Sequence, residues 1–162
     1  MAGLLQAPGC QGETRLQGQF YERISEGIGD PITATALALE GARPDGSADC
    51  AVIVSCDRVG IPEHLQQAVR DAVGDRLPGV DPLKIVLNAT HTHDAPGVDL
   101  TAGYGWDHES GQDRAEDSDV MTGAEYVPFF AERVADAVVE AWENRAPGGI
   151  SRAFGHAVVG HN

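Results

Sequence analysis

The sequence contains few basic residues, few cysteines and no long apolar run, and each shortage excludes a class of protein. Eleven Lys and Arg stand against 25 Asp and Glu, and the resulting net charge of −14 repels nucleic-acid phosphates and anionic lipid surfaces. Three irregularly spaced cysteines, Cys10, Cys50 and Cys56, suit neither a disulfide framework nor a CxxC zinc site. No apolar run approaches the ~20 residues that span a bilayer, and the N-terminus lacks signal-peptide features. We therefore expect a cytoplasmic chain, or a piece of a larger protein, with no nucleic-acid partner.

The composition that remains is typical of one globular domain. The 162 residues are 42% hydrophobic and 22% charged, and a chain of this length buries roughly two thirds of its unfolded surface. Residues 1–31 are rich in Gly, Gln and Pro and show no periodicity, which predicts an irregular arm. Residues 101–123 are acidic and aperiodic, which predicts a long loop that serves as a lid or a mobile segment.

Apolar patterns in the first half predict a βαβ unit over residues 51–90. A first strand is predicted at Ile32–Glu40, and the nearly continuous apolar run Ala51–Asp57 is typical of a strand buried on both faces. An amphipathic helix begins near Pro62, and Lys84–Thr90 is a second buried strand. A crossover of this length joins parallel strands.

The second half predicts one long helix and a final strand. Apolar residues recur at three and four residue spacing through Tyr126–Arg145, whereas Ile150–Gly160 has the composition of a strand. The predicted fold class is therefore α/β, with a partly parallel mixed sheet flanked by helices.

Two histidines, His91 and His93, directly follow the second strand of the βαβ unit. In extended backbone, side chains two residues apart point to one face, and imidazoles are the commonest zinc ligands. The neighbouring Thr90, Thr92 and Asp94 supply hydrogen-bonding groups of the kind that orient a ligating imidazole. The spacing indicates either a metal or catalytic site or two ordinary polar loop histidines.

Asp57 ends the preceding strand of the same unit. Because the carboxyl ends of parallel strands lie at one edge of a sheet, we expect Asp57 near His91. The carboxylate could orient an imidazole, bind a metal or cap the following helix. In one interpretation, Asp57, His91 and His93 gather around a single ion as a small, complete metallohydrolase.

The segment NATHTHDAPG, residues 88–97, resembles the NATHTHSGP-type motif of the neutral and alkaline, non-lysosomal ceramidase family. GIGDPITATALALEG, residues 27–41, resembles its GVHDPLYARALVLEDG segment, and AVIVSCDRVGIPEHLQQAVRDAV, residues 51–73, resembles its strand, Asp and helix stretch. VGHN, residues 159–162, resembles the start of its Gly-x-Asn-Arg-Arg segment. The resemblance implies the truncated N-terminal part of a larger ceramidase-like catalytic domain.

Members of that family are zinc-dependent amidohydrolases, in which two His, a Glu and a Tyr hold one zinc ion and activated water attacks an amide. The resemblance implies that His91 is a zinc ligand and that His93 lies beside it as a substrate contact or proton donor. Asp57 is the second catalytic candidate. The other family ligands would lie beyond residue 162, so we expect this chain to be inactive alone, since a catalytic zinc normally takes three protein ligands.

The expected substrate is a small-molecule amide, of a lipid or a related N-acyl compound. Asp94 and Ala95 depart from the Ser and Gly that are common at these positions in the family, which leaves the substrate contacts open. The alternative is a non-catalytic α/β structural or binding domain that retains the His-Thr-His loop. The sequence gives no oligomeric state.

Overall fold

A computed structural model of the chain describes residues 2–4, by their backbone alone, and residues 13–19, 21, 23–98 and 120–156. In chain order the elements are β1 (Ala2–Leu4), β2 (Arg15–Leu16), β3 (Arg23–Ile24), β4 (Thr33–Ala42), β5 (Ala48–Cys56), α1 (Glu63–Arg76), a 3-10 turn (Pro82–Lys84), β6 (Ile85–Ala89) and α2 (Gly123–Glu143). Strands β1, β4, β5 and β6 form a mixed sheet in that order, and β2 pairs with β3 in a separate antiparallel hairpin. The fold is α/β, as predicted.

The βαβ unit of the sequence prediction is β5, α1 and β6. These two strands pair in parallel, from Val52 opposite Ile85 to Cys56 opposite Ala89, whereas β4 runs antiparallel to β5. The apolar residues of α1 that recur every fourth position, Leu65, Val69 and Val73, are all buried. This stripe faces the core because it repeats at nearly the helical period.

Within the described residues, both helices pack on one face of the sheet and a β5 side chain on the other face is exposed, so the prediction that β5 is buried on both faces is wrong. Val52, Val54 and Cys56 are fully buried, but Ile53, which points to the other face, is 44% exposed. The paired positions Leu37 on β4 and Val86 on β6 extend Ile53 into an exposed apolar row. A continuous apolar run shows that both faces of a strand are apolar, but it does not show that a second layer covers each face.

Helix α2 supplies the largest share of the core. The helix begins at Gly123, and Thr122 is its N-cap in a capping box. The Glu125 N–H donates to the Thr122 hydroxyl, and the Thr122 N–H donates to the Glu125 carboxylate. One face of the helix is buried, through Tyr126, Val127, Phe130, Ala131, Val134, Ala135, Ala137 and Val138. Both helices thus pack with the inner sheet face in one cluster.

The N-terminal arm, which we predicted to be irregular, contains short strands. Residues 2–4 pair with the start of β4, and Arg15–Leu16 pairs with Arg23–Ile24. Strands of two or three residues are too short to show an alternating pattern, which is why the sequence did not reveal them.

Two predicted segments lie partly outside the described residues, and one predicted strand is not found in the residues that are described. Residues 101–119 of the acidic loop, residues 157–160 of the predicted last strand and the VGHN segment, residues 159–162, lie outside the described residues. Residues 150–156 are exposed and form no strand. Among the described helices, none is both long and apolar enough to cross a membrane.

We expect Phe130→Ala to lower the free energy of unfolding by about 3–5 kcal/mol, because removal of a fully buried ring leaves a cavity in the core. The matched control is Phe154→Ala, since Phe154 is 93% exposed and the same truncation there should change stability by less than about 0.5 kcal/mol. Urea unfolding followed by circular dichroism measures both. Equal losses in the two variants would contradict the described packing of α2.

Candidate functional site

The loops that follow β5 and β6 are joined by backbone hydrogen bonds beyond the ends of the strands. The Thr90 N–H donates to the Cys56 carbonyl at 3.0 Å, and the His91 N–H donates to the Arg58 carbonyl at 2.8 Å. The carboxyl ends of the two parallel strands therefore meet at one edge, and Asp57 and His91 lie on the two connected loops.

His91 adopts an uncommon backbone conformation. Its φ is 67°, the single positive value for a non-glycine residue within the described ranges, and this left-handed region costs an L-residue about 1–2 kcal/mol. Two contacts hold it there: the backbone bond to Arg58 and a hydrogen bond of 2.7 Å between the ring Nδ1 and the Val59 carbonyl. Strain of this kind is concentrated at functional sites.

The Val59 contact also selects one tautomer of the neutral His91 ring. A carbonyl oxygen only accepts hydrogen bonds, so Nδ1 must carry the proton that it donates, and in the neutral ring Nε2 then has the lone pair. The side chain is exposed, so this nitrogen belongs to a solvent-accessible imidazole. A backbone carbonyl on one ring nitrogen is the usual arrangement of a histidine that binds a metal through the other.

His93 lies directly beside His91. The ring centroids are 4.9 Å apart and the ring planes meet at 80°, an edge-to-face contact. The prediction assumed that extended backbone would carry the two rings to one face, but β6 ends at Ala89 and His91 is left-handed. The rings meet because of the loop conformation.

The β2–β3 hairpin packs on the residues that follow His93. The Gln17 N–H donates to the Ala95 carbonyl at 3.0 Å, and the Gly97 N–H donates to the Arg15 carbonyl at 2.8 Å. The Arg23 side chain donates to the His93 carbonyl at 3.3 Å and forms an ion pair with Asp94. Part of the N-terminal arm, which the sequence predicted to be irregular, therefore packs against the candidate site.

Asp57 bonds to two threonines. Its Oδ2 accepts from the N–H and the hydroxyl of Thr33, each at 2.9 Å, and its Oδ1 accepts from the Thr90 hydroxyl at 3.1 Å. Burial raises the pKa of the carboxyl, but these hydrogen bonds lower it by more, so the pKa of Asp57 lies below its ordinary value. The carboxylate holds the residue before His91. Helix α1 has no side-chain cap, so Asp57 does not cap it.

A buried arginine connects this edge of the sheet to α2. Arg58 is fully buried, its Nε donates to the Gly60 carbonyl at 3.3 Å, and its guanidinium carbon lies 5.0 Å from the centre of the Phe130 ring. Because the Arg58 carbonyl accepts the His91 N–H, the core contacts of this side chain help to place the loop that holds His91.

The donor groups present define what the site could hold. Among residues 13–19, 21, 23–98 and 120–156, no three His, Cys, Asp or Glu side chains form a group that could bind a metal ion. Asp57, His91 and His93 therefore do not form one ligand set. Burial raises the pKa of Cys56 to about 12, so this thiol is protonated at neutral pH and is a core residue. His91 and His93 remain the candidate donors.

The sequence interpretation missed four contributors to this geometry: Arg58 and Val59, which hold His91, and Gly18 and Arg23, which contact His93 or its backbone. The first two act through their carbonyl groups, which every residue has. The other two lie about 70 residues before the motif. The sequence shows a glycine and an arginine in an arm that is rich in turn residues. It does not show that these two residues lie close to the histidines in the folded chain.

We expect Asp57→Asn to destabilise the chain by about 2 kcal/mol at pH 7, because an amide cannot accept all the bonds that the charged carboxylate accepts. The folded pKa lies below the unfolded value of 3.8, so the contribution is complete above pH 3.8 and is lost as the pH falls through the folded pKa. Urea unfolding of wild type and variant between pH 7 and pH 2.5 should show the difference shrinking at the acid end. Asp75→Asn, at an exposed position on α1, is the control. A gap that stays constant with pH would contradict this account of the carboxylate.

Comparison with protein-family models, with curated proteins and with solved structures found no significant match in any of the three. The resemblance of residues 88–97 to the ceramidase motif thus stays a prediction.

Proposed function

We propose that this chain carries the first metal ligand of a zinc-dependent amidohydrolase similar to the neutral ceramidases, acting on an amide of a lipid or a related N-acyl compound. The observation that carries the proposal is the His91 ring, which donates from Nδ1 to the Val59 carbonyl at 2.7 Å and keeps Nε2 as a ligand nitrogen. Residues 88–97 supply the resemblance that names the metal and the reaction.

The backbone geometry favours a ligand over an ordinary loop histidine. A left-handed φ of 67° costs a histidine conformational free energy that a glycine would not lose, and the ring hydrogen bond to the Val59 carbonyl offsets part of that cost. The conformation turns the ring so that Nδ1 meets a carbonyl on the neighbouring loop, and it thereby selects one tautomer. Pre-organisation of this kind lowers the entropy that a ligand loses on binding a metal.

We assign His93 a role in proton transfer or substrate contact. Its ring is half-buried, touches the His91 ring edge-to-face at 4.9 Å, and lies on the same loop. An imidazole at this position can hold a proton and deliver it to the developing oxyanion or to the leaving amine. Asp57 acts on the pair through Thr90, as a positioning residue.

Zinc fits the donor chemistry, because a neutral imidazole nitrogen is among its preferred ligands. When bound, the ion supplies a nucleophile at neutral pH and polarises the amide carbonyl. His91 would hold it on this chain, and the remaining ligands would come from outside the described residues, since these contain no group of three donors. We therefore expect weak zinc binding and no hydrolysis by this chain alone.

We expect His91→Ala to weaken zinc binding by at least about 10-fold, because it removes the pre-organised nitrogen. His156→Ala, which removes an exposed histidine from the segment after α2, should leave the affinity unchanged. Competition with a chromophoric chelator measures the affinity. Chemical shifts of ¹⁵N-labelled imidazoles should show in addition that zinc moves the Nε2 signal of His91 and leaves its Nδ1 protonated.

Two results would count against the proposal. If His91→Ala and wild type bind zinc equally, the ion is held elsewhere. If zinc leaves the His91 ring signals unchanged at millimolar concentration, the ring is not a ligand, and the non-catalytic interpretation of the domain gains support.

A further inference from the structure

Gly18, two residues after the end of β2, lies against the His93 ring with no room for a side chain. A Cβ atom on this residue would stand 2.7 Å from His93 Cγ, 2.9 Å from His93 Cδ2 and 2.9 Å from Val59 Cγ2. All three distances are shorter than carbon atoms tolerate, since optimal contact is about 3.5–4.0 Å. The backbone of Gly18 also has a φ of +103°, a conformation that glycine adopts readily.

The same hairpin binds His93 and the two residues that follow it. Arg23 donates to the carbonyl of His93 itself and pairs with Asp94, and Gln17 donates to the carbonyl of Ala95. The His93 ring therefore has the hairpin backbone on one side and the His91 ring on another.

We infer that the β2–β3 hairpin is a positioning element for His93, and that Gly18 is the residue that sets the place of its ring beside His91. The inference rests on the proposed function in one respect: it assumes that the orientation of His93 toward His91 matters for metal binding. The contact between Gly18 and His93 itself is independent of that assumption. The hairpin is thus a functional part of the site.

The main test compares Gly18→Ala with Gly46→Ala. Both glycines have positive φ, +103° and +84°, so both alanines introduce backbone strain, but a Cβ on Gly46 would meet no atom within 4 Å. We expect Gly18→Ala to shift the ring ¹³C–¹H signals of His93, and Gly46→Ala to leave them at the wild-type positions. Wild-type nuclear Overhauser contacts between Gly18 Hα and the His93 ring should be lost only in Gly18→Ala.

Zinc affinity provides a second readout that a general loss of stability would not move. Changes in the groups around a metal ligand typically cost 10–100-fold in affinity. We expect about a 10-fold loss in Gly18→Ala, because the displaced His93 ring presses on the His91 ring, and no loss in Gly46→Ala.

If Gly18→Ala does not fold, Arg23→Met tests the hairpin by removing the bonds of Arg23 to the His93 carbonyl and to Asp94 without adding volume. Its control is Arg43→Met, which removes an arginine that pairs with Asp49 at 3.0 Å beside the turn between β4 and β5. Arg23→Met should move the His93 ring signals, whereas Arg43→Met should not.

The inference is overturned if the His93 signals in Gly18→Ala match those in Gly46→Ala, or if Arg23→Met and Arg43→Met both leave them at wild-type positions. Equal zinc affinities in the two glycine variants, with wild type binding zinc, would also overturn it. If wild type binds no zinc, the proposed function fails, and the ring signals of metal-free protein alone decide whether the hairpin places His93.

Discussion

The candidate site depends on one set of hydrogen bonds, those that join the loops after β5 and β6. The carbonyls of Cys56, Arg58 and Val59 accept, in turn, the Thr90 N–H, the His91 N–H and the His91 ring Nδ1–H. The first two bonds continue the connection between the parallel strands into the loops. The third bond fixes the orientation of the His91 ring. Without them, nothing described would offset the left-handed conformation of His91.

Contacts from two other parts of the chain reinforce this junction. In the core, the fully buried Arg58 packs its guanidinium over the Phe130 ring of α2. This contact anchors the loop after β5, whose carbonyls accept the hydrogen bonds of His91. From the N-terminal side, the β2–β3 hairpin bonds to residues 93–97 and places Gly18 against His93. The motif is therefore held by an arm, a strand end and a helix that lie far apart in sequence, which explains how a short exposed loop can keep two rings in a defined contact.

The sequence predicted an element well when the apolar pattern of that element extended over several residues. The helices and the strands β4, β5 and β6 carry apolar patterns over five or more residues, and all of them were predicted within a few residues of their bounds. The hairpin strands have two residues each and gave no pattern. The exposed row of Leu37, Ile53 and Val86 shows a different limit, since burial depends on which layers cover a strand and not on the strand alone.

The sequence by itself determined the α/β class, the parallel pair of strands and the position of two histidines at the edge where such strands end, because periodicity and chain order act locally. Only the tertiary structure decided that His91 is left-handed and bonded to Val59, that Asp57 bonds to threonines, and that Gly18 and Arg23 belong to the site. These are contacts between backbone groups or distant residues. Their partners are chosen by packing in three dimensions, and no spacing along the chain encodes them.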